Sequence, residues 1–68
     1  MNTLGDELPR LQEKCRKLLE QALELPPASG QFLVAMLRSD LARAERAAAS
    51  GDVGQMLMAC LRLEEYSE

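Results

Sequence analysis

Residues 4–27, LGDELPRLQEKCRKLLEQALELPP, decide the fold. Leu4, Leu8, Leu11, Cys15, Leu18, Ala22 and Leu25 recur alternately four and three apart, a seam on one side of an α-helix. Leu19 and Leu23 broaden that seam. Asp6 is the expected cap, because it keeps Pro9 in the first turn, where a missing N–H costs nothing. Pro26-Pro27 then disfavours helix in the residue before it, so the helix is expected over about 7–25.

The rest of the chain continues in the same manner. Ser29 is a candidate cap for a second helix over about 28–49. Its seam is Val34, Leu37, Leu41, Ala44 and Ala48, thickened by Phe32, Leu33 and Met36. Alanines dominate its second half, so a neighbouring helix can approach closely there. Ser50-Gly51-Asp52 makes a compact stop and restart, with Gly51 suited to a left-handed residue and Asp52 to a cap. A third helix over about 53–65 follows, with Val53, Met56, Cys60 and Leu63 as its seam and Leu57 and Leu61 extending it. Gly54 weakens its first turn by ~1 kcal/mol relative to alanine.

Composition agrees with an all-α chain: thirteen leucines and nine alanines stand against two valines and no isoleucine. Sixty-eight residues make a single small domain, 1–68. Short connections predict three antiparallel helices, up-down-up. A chain of this size buries little surface, and its apolar faces are broad for one small bundle. Two cysteines allow one bridge at most, and no histidine is present to build a zinc site. Completion as a homodimeric helical bundle is therefore expected, with Leu8, Leu11, Cys15, Leu18, Val34, Leu37, Leu41, Met56, Cys60 and Leu63 as the core or dimer seam.

The sequence offers no catalytic equipment, and no enzyme is expected. Without histidine there is no ordinary general base near neutral pH. Ser29, Ser39, Ser50 and Ser67 lack a partner base, and Gly30, Gly51 and Gly54 fit no phosphate-loop spacing. No cofactor or metal is expected. Cys15 and Cys60 fall on seams at similar height, which allows a reading as a redox pair; small, inert, buried hydrophobes are the plainer reading. The apolar runs 32–37 and 56–61 are far short of the ~20 residues that span a bilayer. The first residues, Met1 to Glu7, lack the pattern of a secretory signal, so a cytoplasmic protein is expected.

Charge placement points to protein binding. The net charge is −3, which argues against a general nucleic-acid binder. Glu13 and Lys17, like Arg16 and Glu20, stand four apart and are expected to pair. Glu20 and Glu24 close the first helix, and Glu64, Glu65 and Glu68 close the third, opposing the helix macrodipole. In an up-down-up bundle these form one acidic pole, with Tyr66 as an aromatic anchor. That pole would dock on a basic surface, such as the DNA- or nucleotide-binding face of another protein. Met58, off the seam beside Arg62, is a further contact candidate; a solvated, frayed tail is the bland alternative. The expected function is a binding and modulating protein: an inhibitor, anti-activator or adaptor of the kind phages and mobile elements encode in short acidic chains. A helix-turn-helix-like DNA-binding regulator is a second reading, with Gln55 and Arg62 as the long polar readers. A structural or assembly subunit is a third.

Overall fold

A computed structural model of the chain describes residues 3–66, and these form three helices packed on one another: α1 (Leu4–Leu23), α2 (Pro27–Ser50) and α3 (Val53–Glu64). Ser67 and Glu68, like Met1 and Asn2, lie outside the described residues. Every helix touches both others. The long axis of 38 Å is close to the ~36 Å that the 24 residues of α2 span at 1.5 Å per residue.

Each helix end has a local cause, and three differ from expectation. α1 starts at Leu4 with Thr3 as its cap, rather than near residue 7 with Asp6. The Thr3 hydroxyl accepts from the Asp6 N–H at 3.3 Å and donates to the Asp6 carboxylate at 3.2 Å, a reciprocal lock on the first turn. That lock carries the helix through Pro9, which has no N–H for the Gly5 carbonyl; Gly5 is exposed, so water can take its place. α1 stops at Leu23, leaving Leu25 in the connection, where Pro26 and Pro27 follow. α2 begins at Pro27 rather than Ser29: a proline at the first helical position has its φ already set. Ser29 instead donates its N–H to the Pro26 carbonyl at 2.8 Å.

The turn into α3 follows the sequence pattern. Gly51 is left-handed (φ 71°) and donates to the Ala47 carbonyl at 3.2 Å. The Ser50 hydroxyl donates to the same carbonyl at 2.8 Å and accepts from the Asp52 N–H at 3.1 Å. The Asp52 carboxylate then caps α3 by accepting from Gln55 N–H at 3.1 Å.

The core is built from Leu8, Leu11, Cys15, Leu18 and Ala22 of α1, Leu37, Ala44 and Ala47 of α2, and Ala59, Cys60 and Leu63 of α3. Val34, Leu41 and Met56 are half-buried against it. Several apolar residues read as seam or its extension face solvent instead: Leu25, Phe32, Met36, Ala48, Val53, Leu57 and Leu61. Ala47 and Ala59 take inner places in α2 and α3, because small side chains let the two backbones close up. Gly30 is buried for a related reason: a Cβ there would stand 2.7 Å from the Ala22 carbonyl oxygen. Among the described residues, no helix is long and apolar enough to cross a membrane.

Candidate functional site

The direction α3 faces is fixed at both ends. Asp52 holds its start, and at its finish Tyr66 ties it to both other helices. The Tyr66 hydroxyl donates to Asp40 of α2 at 2.5 Å, and its carbonyl accepts from the Lys14 ammonium of α1 at 3.0 Å. Asp40 also faces Arg62 at 3.8 Å. Burial, followed by the hydrogen bond and charge of Asp40, pushes the Tyr66 hydroxyl well above the usual phenol range, so it stays protonated as the donor.

With α3 so held, two features meet solvent. One is an outward stripe, Val53, Leu57 and Leu61 at four-residue spacing, running into Glu64 and Glu65, with Met58 beside it. These four apolar side chains are exposed by 66, 49, 50 and 62%, respectively. The other is a groove of about 830 Å³ between α2 and α3, lined by Asp40, Arg43, Gln55, Met58 and Arg62 over Ala47 and Ala59. Met58 and Arg62, paired in the sequence reading, share this groove.

The expected acidic pole is not assembled. α3 has 12 residues against the 20 of α1, and it finishes alongside Lys14 rather than at the end of α1. Arg10 is made more basic chiefly by its hydrogen bond and ion pair with Glu7 and least by Glu64, which lies within electrostatic reach of it. Ten residues of helix, about 15 Å, separate Arg10 from Glu20, and Glu24 is a turn farther still. Glu20 and Glu24 thus form one acidic site and Glu64 and Glu65 another, while Glu68 lies outside the described residues. Tyr66 is half-buried and hydrogen-bonded inward, which makes it a clasp rather than an outward anchor. The predicted intrahelical pairs also give way: Glu13 meets Arg16, three residues on, at 3.7 Å, leaving Lys17 and Glu20 without an ion pair among the described residues.

Both thiols are free and buried. Burial raises the pKa of each; Asp40 adds to the effect at Cys15, where Lys14 opposes it, and Glu7 and Glu64 add to it at Cys60. Cys15 Sγ lies 3.7 Å from the Leu63 carbonyl. A buried thiol kept protonated is a poor nucleophile. No cluster of three potential metal ligands occurs among the described residues.

Sequence reasoning missed Leu57, Leu61 and Arg43 as surface features. The available signal was a second stripe, Val53-Leu57-Leu61, offset from Met56-Cys60-Leu63. The alanines at 47 and 59 also mark where α2 and α3 meet. Compared with known proteins, the chain matches no protein-family model, no curated protein and no solved structure.

Proposed function

We propose that this chain is a small non-enzymatic helical protein that binds and modulates another protein, as an inhibitor, anti-activator or adaptor, through the outward face of α3. The carrying observation is the exposure of Val53, Leu57, Met58 and Leu61 on one 12-residue helix that continues into two carboxylates. Apolar anchors at i, i+4 and i+8 are what a helix offers to an apolar groove. Glu64 and Glu65 favour a groove with basic residues at one end, such as the DNA- or nucleotide-binding face of a regulator. The same stripe and carboxylates weigh against α3 as a reader of DNA, whose phosphates repel them.

The bundle is up-down-up in this reading. Three contacts support it: Ala22 faces Gly30 at the α1–α2 turn, Cys15 faces Leu63, and Asp40 faces Tyr66. A second copy completes it, and the exposure of Phe32 and Met36 on α2 favours this. A reducing compartment such as the cytoplasm suits two unbridged thiols.

The test is affinity capture from a host lysate, with wild type run beside L57D/L61D and beside E64K/E65K. Loss of the same partner with both variants, while circular dichroism shows unchanged helicity, is the expected result. Equal capture by all three sinks the proposal.

A further inference from the structure

The α2–α3 groove combines an apolar floor with an uneven distribution of charge. Its base is Ala47 and Ala59, 3% and 5% exposed, and Met58 stands exposed beside them. Along α2 the groove runs from Asp40 to Ala47, about 10 Å or about two turns, a short track for a docked helix. Its volume of about 830 Å³ falls within the ~300–1,000 Å³ of small-molecule sites, which set a few polar groups among apolar walls.

Four charged side chains line the groove, and three of them are engaged. Asp40 accepts from the Tyr66 hydroxyl at 2.5 Å and faces Arg62 at 3.8 Å, so those two charges offset each other. Asp52 caps α3, accepting from the Gln55 N–H at 3.1 Å. Arg43 forms no ion pair among the described residues. Glu64 and Glu65 are not among the lining residues. The uncommitted charge over the apolar floor is therefore one guanidinium.

We propose that this groove binds a small anionic amphiphile, its apolar chain laid over Ala47 and Ala59 and its single carboxylate held by Arg43. A planar guanidinium meets a carboxylate with two parallel N–H···O bonds. Asp40 and Asp52 on the walls repel a doubly charged phosphate head more strongly than a carboxylate, which favours the monoanion. The flexible Met58 thioether can fold over the chain. This site goes beyond the protein-docking reading and does not depend on it, because Leu57 and Leu61 do not line the groove.

Calorimetric titration of the full chain with decanoate, below its micelle concentration, tests this, and amide chemical shifts locate the site. Wild type should bind a single decanoate, with shifts centred on Ala47, Gln55 and Ala59. Decanol, which lacks the charge, should bind about tenfold more weakly. Arg43→Gln should lose about tenfold for decanoate and nothing for decanol, with unchanged helicity. L57Q/L61Q should keep the wild-type affinity for decanoate. The proposal is overturned by no decanoate binding, by decanol bound as tightly as decanoate, or by an Arg43→Gln protein that holds decanoate like wild type. Shifts that fall at Leu57 and Leu61 or at Phe32 and Met36, or a site lost in L57Q/L61Q, overturn it as well. Partner capture is read separately: a variant that keeps decanoate and loses the captured protein separates the groove from the docking face, so the two readings fail independently.

Discussion

α1 and α2 run the length of the molecule, yet their two halves are differently finished. Alongside Leu8, Leu11, Ala44 and Ala47, α3 completes the packing with Ala59, Cys60 and Leu63, and none of these seven is more than 5% exposed. Polar ties reinforce that half: Tyr66 with Asp40, Lys14 with the Tyr66 carbonyl, and Ser50 with Asp52. Past Tyr66 the two helices stand alone among the described residues. They touch through Leu18, Ala22 and Gly30, while Phe32 and Met36 of α2 face solvent. The seam spacing is the same in both halves. Whether a seam's flanks are covered thus depends on the length of the third helix, not on the periodicity of the first two.

Substitutions can break this contrast. Leu63→Ala removes a fully buried side chain from the finished half and should cost about 2–5 kcal/mol, against within ±0.5 kcal/mol for a surface change. Phe32→Ala, in the open half, should show that smaller effect in the monomer; urea unfolding of both variants measures the difference, and equal costs would erase the distinction. Gly30→Ala drives a Cβ toward the Ala22 carbonyl, which is backbone and cannot swing away, and should cost about 1–3 kcal/mol. A Gly30→Ala protein as stable as wild type would mean that the open half yields freely. Tyr66→Phe loses the hydrogen bond to Asp40 and should cost about 1–2 kcal/mol near neutral pH. The Tyr66 hydroxyl titrates higher in the folded chain than in the unfolded one, so its contribution is complete below about pH 10 and fades as pH rises through the folded value. Alkaline unfolding curves should fall less steeply in Tyr66→Phe than in wild type, while the part owed to the buried thiols Cys15 and Cys60 remains in both. Thr3→Ala should cost about 1 kcal/mol from the lost cap, seen as fraying of the first turn by amide exchange.

Much of the fold was legible because its signals are local. The three- and four-residue spacing of Leu8, Leu11, Cys15 and Leu18 marks the inner side of α1, and Ser50-Gly51-Asp52 specifies its own turn chemistry. The start of α1 was misread because Pro9 looked decisive, whereas the two contacts between Thr3 and Asp6 outweigh one missing N–H. Phe32, Leu57 and Leu61 were assigned inward because an apolar residue beside a seam has no local mark of which neighbour, if any, covers it. The acidic pole failed for a similar reason. Glu64 and Glu24 each end a helix, but their separation is set by where α3 stops along α1, and only the packing fixes that.

The chain has one tyrosine, one weakly emitting phenylalanine and no tryptophan, so its phenol emission comes from a single ring. That ring is the one whose hydroxyl binds a carboxylate, a contact that quenches phenol fluorescence in the bound state. Release of α3 from α2 therefore carries its own optical signal: emission brightens as the clasp opens, with no label attached, while far-ultraviolet dichroism follows the helices independently. Comparing the two against temperature would show whether α3 lets go before the α1–α2 pair melts.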